Sequence, residues 1–479
     1  MKSLIKNISI YATGDLLNKV AQFLLLPLYT NLLLPVDYGT LELIYLVGSI
    51  LVIINGLLVQ NAYARFYFDT DNSNERKTIF STCLFFIIIC SLFSLATGLI
   101  YSNSISNFIF GSSDYSIYII LIGVSSLLSA ISWIPDKYLI VREKATVYVS
   151  INVIDVIATL FITIYLVVIS ELGILGILLG QICGRSIRLT LLLIFSFHEI
   201  QFSFSVHRIK EMISFSIYLI PAEISALVAY MSNRVFIQNY TDLTQVGIFS
   251  LGFKIASIIP ILITGPIKKA FRPYIFSLIK KPDHLKETFS NFIRYYFIAI
   301  TSFSFILSLF SKELLLLIAN ERYSNSYSVI FPLSISYIII GYAGLIAILI
   351  SITKNTKIIG LAWIIGAIVN LILNYLLVPV YGIIGATYAT ILTFLTILII
   401  YICYQRKNYP INIDYNKFAL LLIVVSVFYY GIEIINFPII STIFLKLLIY
   451  LLYVVFIWFG NFLKVNEKKY IKNKIKGIF

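Results

Sequence analysis

Asp15 and Lys19 interrupt an apolar run from Ile8 to Asn31, and Glu42 stands near the start of a second run, from Tyr38 to Gln60. At 1.5 Å per residue each run is long enough to cross a hydrocarbon core of roughly 30 Å. An ionisable group at such depth costs about 2.5–3.5 kcal/mol, so it faces a partner or a watery cavity. Asp15 and Lys19 are four residues apart and share a helical face, where they can pair with each other. The alternative is that they line a wet passage, and Glu223 favours it: this acid holds the matching place in a later run, with no lysine beside it. Lys254 lies about ten residues into its run, roughly 15 Å deep, and reads as a cation facing a cavity because snorkelling from there is difficult. Arg234 sits nearer the outer end of its run, where snorkelling and cavity lining are equally open. Glu42 is a candidate partner for Lys254 or a gate residue. Arg65 and Arg272 occupy matching ends of two runs; they could form an entry gate for an anion or simply anchor the helices. Arg185, Arg188, Arg294 and Lys446 lie near run ends and read as anchors, and Asp155 has no obvious mate.

Charges of both signs in this setting bind and pass ions or charged groups. They do not make bonds. The chain has no G-x-x-x-x-G-K-[ST] phosphate loop, no H-E-x-x-H, no nucleophile elbow and no zinc spacing, so it is not expected to be an enzyme or to hold a metal. Cys83, Cys90, Cys183 and Cys403 fall in apolar runs and read as packing residues. His198, His207 and His284 fall in polar connections. No cofactor is expected beyond a coupling H⁺ or Na⁺.

The elements that must position these groups are membrane spans. The 479 residues are 59% hydrophobic and 12% charged, with a mean hydropathy of +0.95, so the whole chain belongs in a bilayer. The net charge of +14 is spread over short clusters between spans rather than gathered in one patch, which argues against nucleic acid. Apolar runs of about 20 residues number 14, with approximate limits 8–31, 38–60, 78–101, 116–134, 147–169, 173–195, 214–237, 244–268, 291–311, 325–350, 357–378, 381–404, 417–436 and 440–463. Most of the 36 Lys and Arg fall before the first span, in every second connection and in the Lys464–Lys476 tail. Both termini are therefore expected in the cytoplasm. Lys2 and Lys6 precede an apolar run that Asp15 and Lys19 break and no cleavage site follows, so the first helix is expected to remain.

A repeat runs through the chain. Residue n set against n+208 puts Asp15 on Glu223, Gly39 on Gly247, Ala62 on Ala270 and Tyr63 on Phe271; at n+209, Gly173-Ile174-Leu175-Gly176 meets Gly382-Ile383-Ile384-Gly385. Six spans per repeat is an even number, so the halves enter from one side and form parallel repeats. The expected fold is an all-α integral membrane protein: two six-helix lobes, residues 1–200 and 201–410, around a central cavity, then a helix pair and basic tail over 411–479. Prolines Pro27, Pro221, Pro260 and Pro266 sit in the helices that carry buried charge and permit bends there.

Leu34-Pro35-Val36-Asp37-Tyr38-Gly39, with the following helix ending Ala64-Arg65-Phe66, resembles the start of the Wzx-type polysaccharide flippases, within the multidrug/oligosaccharidyl-lipid/polysaccharide exporter superfamily. Gly382-Ile383-Ile384-Gly385-Ala386-Thr387 after Asn370 and Asn374 is similar to the same family's twelfth-helix region. The resemblance implies an undecaprenyl-pyrophosphate-linked oligosaccharide as cargo, moved across a bacterial inner membrane for O-antigen or other surface polysaccharide, beside the polymerase and chain-length proteins of that pathway. It implies that Lys19, Arg65, Arg234, Lys254 and Arg272 receive the pyrophosphate and acidic sugars. Asp15, Glu42 and Glu223 would balance those charges or bind the coupling ion, and the final helix pair would offer a groove to the prenyl tail.

A cation-coupled multidrug exporter of the same superfamily is the first rival; the buried lysine and the final helix pair weigh against it. A lipid-linked peptidoglycan precursor flippase is a closer rival. A membrane glycosyltransferase or polymerase is disfavoured because no outer connection exceeds about 20 residues, too few to hold a folded catalytic domain.

Overall fold

The computed structural model describes residues 23, 25–353, 355–411, 413–433, 439–460 and 462. Asp15 and Lys19 lie outside the described residues. Those described form helices joined by short turns, with no strand among them. Their order is α1 (Pro35–Ile54), α2 (Gln60–Phe68), α3 (Ser73–Phe110), α4 (Ser116–Val141), α5 (Ala145–Ile164), α6 (Gly173–Ser196), α7 (Val206–Ser216), α8 (Ile220–Tyr240), α9 (Leu243–Ala256), α10 (Gly265–Ser277), α11 (Pro282–Leu309), α12 (Ser311–Ile318), α13 (Tyr327–Ile352), α14 (Lys357–Asn408), α15 (Tyr415–Glu433) and α16 (Ile439–Phe459). Among the described residues, twelve stretches are long and apolar enough to cross a membrane. One of them, α14, folds back at Gly382, whose φ of 54° breaks the helix into two. It therefore supplies two crossings, the eleventh and twelfth expected spans. Of the remaining expected span, 8–31, residues 8–22 and 24 lie outside the described residues, and 25–31 are helical.

Local chemistry sets the helix ends. Pro35 opens α1, where its missing N–H costs nothing, and Asp37 accepts from the Leu34 N–H at 3.2 Å. The Asn72 side chain caps α3 and left-handed Gly111 ends it, as open N-terminal donors and C-terminal carbonyls require. A single helix over 38–60 is not what forms. Asn55-Gly56 stops α1, and Leu57 and Leu58 turn left-handed, with φ of 44° and 61°, before α2 begins. Ser94 donates to the Asn55 side chain at 2.5 Å, and Ser91 donates to its carbonyl, so α3 takes up the polar groups that the break exposes. Two further interruptions are π turns, Tyr165–Ile169 and Pro260–Thr264. The second falls at a proline that the sequence marks as a bend, and it relieves the clash of that ring with the preceding turn.

The chain packs as two units. One comprises the described residues up to Ser250 with Ile318–Tyr323 and Asn370–Ala386; the other comprises Leu251–Leu317, Ser324–Val369 and the described residues from Thr387 onward. The first has a core of Ala62, Tyr63, Phe80, Cys83, Ile134 and Met212, where α2, α3, α4 and α7 meet. In the second, α11 packs on α13, and α15 and α16 pack on α11. Phe331 of α13 stacks on Tyr429 of α15 at 3.9 Å between centroids.

Matched positions of the repeat share conformation. Gly173 and Gly382 both reverse the chain with φ near +54°, a backbone that only glycine adopts cheaply. Three residues later, Gly176 and Gly385 press against the backbone of the preceding helix at Leu166 and Leu377.

Candidate functional site

In the first unit, α1 presents a polar stripe at helical spacing: Tyr38, Glu42, Tyr45 and Ser49. Residues so spaced share one face, and here that face carries the buried charge. The Glu42 carboxylate accepts from Arg234 of α8, with Nη2 at 3.1 Å and Nε at 3.2 Å from one oxygen. A third arginine donor, Nη1, reaches the Tyr230 carbonyl at 3.1 Å. Arg234 is 2% exposed and Glu42 8%. The arginine does not snorkel: it turns inward and holds an acid 192 residues away in the chain. One turn back, Tyr38 is buried against Tyr323 in an edge-to-face contact at 6.0 Å, and its hydroxyl has no protein partner.

The stripe continues to α6. Gln181 donates to the Tyr45 hydroxyl at 2.5 Å, while its own amide oxygen is buried without a protein partner. One turn further, Arg185 donates to Ser125 of α4. Arg188 donates to Asp136 of α4 at 2.5 Å and lies 3.9 Å from Asp155 of α5, and Thr159 donates to Asp155. Arg185 and Arg188, read as anchors, and Asp155, read as lacking a mate, thus join a charge cluster inside the bundle. Asp136 was not singled out from the sequence. Gly176, Gly180 and Gly184, four apart on α6, bring α5 and α6 together there: a Cβ at Gly180 would meet Thr163 Oγ1 at 2.2 Å, and one at Gly184 would meet Thr159 Oγ1 at 1.9 Å. Small residues at this spacing are how helices approach closely in lipid.

An amide cluster lies on α8 and α14. Asn374 donates to the Asn233 side chain at 2.7 Å and to the Asn370 carbonyl at 2.9 Å, and Ser232 donates to the Asn370 amide oxygen at 2.7 Å. All three asparagines are fully buried, and Asn374 Oδ1 has no protein partner. Among the described residues, no group of three His, Cys, Asp or Glu is placed to hold a metal.

The other expected site residues have other surroundings. Arg65 of α2 is exposed, with its guanidinium 5.1 Å from the Phe215 ring. Arg272 of α10, in the second unit, is likewise exposed and lies 5.7 Å from the Phe276 ring. Glu223 is exposed in the first turn of α8, where a carboxylate complements the open N–H groups. Lys254 is half-buried in the last turn of α9.

In the second unit, Lys446 is not an anchor. It is 3% exposed, and its ammonium donates to both oxygens of Glu313 at 2.7 and 2.8 Å.

The sequence profile of the family described as "Polysaccharide biosynthesis protein" matches residues 4–279. No curated protein sequence matches the chain significantly. Among solved structures, the lipid II flippase MurJ in an inward closed conformation is similar with a TM-score of 0.75 at 12% identity, covering 96% of this chain and 99% of its own. An inward-facing multidrug resistance MATE transporter of the MOP superfamily is similar with a TM-score of 0.60 at 12% identity, covering 83% of this chain and 93% of its own. A Vibrio cholerae MATE transporter is similar with a TM-score of 0.58 at 13% identity, covering 85% and 98%. The shared fold is that of membrane transporters and flippases.

Proposed function

The chain belongs to the polysaccharide biosynthesis protein family, and from that premise we propose that it is a flippase. It carries undecaprenyl-pyrophosphate-linked oligosaccharide repeat units from the cytoplasmic to the outer leaflet of a bacterial inner membrane, by alternating access, for O-antigen or another surface polysaccharide. The observation that carries this reading is the buried Glu42–Arg234 pair on two spans: a charged, hydrogen-bonded interior inside lipid-crossing helices is built to accommodate a polar group, not to pack against hydrocarbon. Arg65, Arg234, Lys254 and Arg272, with Lys19, receive the pyrophosphate and acidic sugars at successive stages. Glu42, Glu223 and Asp15 balance these cations while the cargo is absent, or bind a coupling H⁺ or Na⁺. An anionic headgroup leaving an inside-negative cell gains roughly 2.3 kcal/mol per charge per 100 mV, so the direction of transport agrees with the charge of the cargo.

The likeness to a lipid II flippase, nearly end to end in both chains, supports a lipid-linked peptidoglycan precursor as the second reading. Deleting the chain from its own cell separates the two. Loss of a surface polysaccharide with intact cell-wall growth is expected, and Lys254→Ala reproduces it at normal protein levels. Lysis with wall precursor accumulating inside would favour the second reading, and normal surface glycan together with normal wall would overturn both.

A further inference from the structure

Between α6 and α7, in the first unit, residues 199–205 run along the first turns of α3 and are stitched to it. Ser81 donates to the Glu199 carbonyl at 3.4 Å, the Gln201 N–H donates to Ser81 Oγ at 2.8 Å, and the Ser205 N–H donates to Thr82 Oγ1 at 3.0 Å. Both ends are held as well: Tyr138 of α4 donates to the Glu199 carboxylate at 3.0 Å, and Arg208 of α7 pairs with Glu75 of α3. The stitching fixes which way alternate side chains point. Gln201, Ser203 and Ser205 are half-buried, while Phe202, Phe204 and Val206 are 102%, 45% and 56% exposed. The Ser203 N–H returns to the Gln201 carbonyl at 2.8 Å, which puts Phe202 at the tip of a three-residue turn.

This apolar ridge joins a larger surface. The Phe202 ring lies nearly parallel to that of Phe85 on α3, with 6.2 Å between centroids and 23° between planes. From Phe85 the exposed apolar face of α3 continues at helical spacing through Ile89, Leu92, Phe93 and Ile100, the face that a crossing helix turns to hydrocarbon. The tie points Ser81 and Thr82 lie one turn inside the start of the expected span 78–101, so the segment stands at the depth where hydrocarbon gives way to headgroups. Lys77 precedes the tie points on α3, and Lys210 is exposed on α7; cations so placed reach lipid phosphates. We propose that residues 202–206 form an interfacial wedge, with the side chains of Phe202, Phe204 and Val206 entering the acyl-chain boundary of the leaflet on the lysine-rich, cytoplasmic side. Water would leave the ridge as bare apolar surface, and a protein partner would have to cover it while displacing lipid from the adjoining face of α3. A stretch that reads as a polar connection is in this way part of the chain's contact with lipid, whatever the cargo.

The test places a nitroxide label at Phe202→Cys, Phe204→Cys or Lys210→Cys, one at a time. Cys183 and Cys403, the exposed native thiols, are changed to Ser, and the full chain is reconstituted into vesicles of phosphatidylethanolamine and phosphatidylglycerol; the parent without a new cysteine gives the background. Oxygen partitions into hydrocarbon and an aqueous nickel chelate does not. Collisions with oxygen are expected to exceed those with nickel at 202 and 204, with a ratio severalfold higher there than at 210. Ready collision with nickel at 202 and 204 would put the segment in water, and shielding from both reagents would put it under protein; either result overturns the assignment. If the cysteine-replaced chain does not fold, Phe202→Trp in the otherwise native chain carries the test. Its added fluorescence is expected to be quenched by lipids brominated on the upper acyl chain and not by aqueous iodide, and the reverse overturns the assignment.

Discussion

Gly39 and Gly247 meet backbone to backbone. A Cβ on Gly39 would lie 2.1 Å from the Leu243 carbonyl oxygen, and a Cβ on Gly247 would lie 2.0 Å from the Pro35 carbonyl oxygen. The contact is reciprocal: each glycine faces the residue four before the other, and both pairs are 208 residues apart in register, as in a two-fold interface. The obstructing atoms are main-chain carbonyls, which cannot swing aside as side chains do. Gly39→Ala and Gly247→Ala should therefore each force α1 and α9 apart and cost about 1–3 kcal/mol or more. Once the first methyl has opened the crossing, the second adds less, so the double variant should fall short of the sum. Apparent unfolding temperatures in detergent measure this. Alanine variants as stable as the parent would mean that the crossing is looser than it stands.

Glu42 and Arg234 are predicted to be strongly coupled. Glu42→Gln alone leaves a buried guanidinium, and Arg234→Gln alone leaves a buried carboxylate; each should cost about 3–5 kcal/mol. Removing both charges, as in Glu42→Gln with Arg234→Gln, should recover most of that stability while still abolishing transport if the pair receives cargo. A double-mutant cycle on unfolding, run beside a glycan-delivery assay, reads both. Additive single costs would show that the two side chains do not depend on each other.

The spans were legible because length and apolarity are local properties, and so was the repeat, whose paired glycines, Gly39 with Gly247 and Gly173 with Gly382, turn out to share contacts and dihedrals. The break within 38–60 was also written locally, as Asn55-Gly56, a turn signal masked by the apolar residues on either side. Which charge meets which was not legible. Arg234 reaches Glu42 across 192 residues, and Arg188, Asp136 and Asp155 come together only because three helices converge. Depth in a span marks a charge as needing a partner but does not name one. Position near a span end misled for Arg188 and Lys446, because being close to the headgroups does not prevent a helix neighbour from offering a carboxylate first. Lys268, the last residue of the expected span 244–268, packs along α13, where its ammonium fills the notch left by Gly344.

Arg188 serves two acids, so its loss should cost more than the loss of either. Arg188→Gln leaves Asp136 and Asp155 together without their shared cation, the unfavourable case of like charges in a poorly solvated site. Asp155→Asn keeps the shorter Arg188–Asp136 contact of 2.5 Å and gives up only the longer one of 3.9 Å. The expected order of destabilisation is Arg188→Gln, then Asp136→Asn, then Asp155→Asn, with Arg188→Gln partly rescued by adding Asp155→Asn. Thermal unfolding of the four variants ranks them, and a rescue that fails would show that Asp155 does not draw on Arg188.

Neighbouring residues Lys312 and Glu313 test how far burial decides the worth of an ion pair. Both fasten the final helices: Lys312 holds Glu433 of α15 at 2.8 Å, and Glu313 holds Lys446 of α16 through both oxygens. Chemistry and distance are nearly the same, and exposure is not, since the lysine side chain is 42% exposed in the first pair and 3% in the second. Water replaces a lost partner in the first case and cannot in the second. Lys312→Met should therefore cost less than about 1 kcal/mol. Glu313→Gln should cost about 3–5 kcal/mol, because it strands the Lys446 ammonium. Lys446→Met should cost less than Glu313→Gln, because the carboxylate left behind keeps some access to water. Unfolding of the three variants in one detergent gives the comparison. Equal losses at Lys312 and Glu313 would mean that the charges near α12 act through their field on the whole helix pair and not through these two contacts.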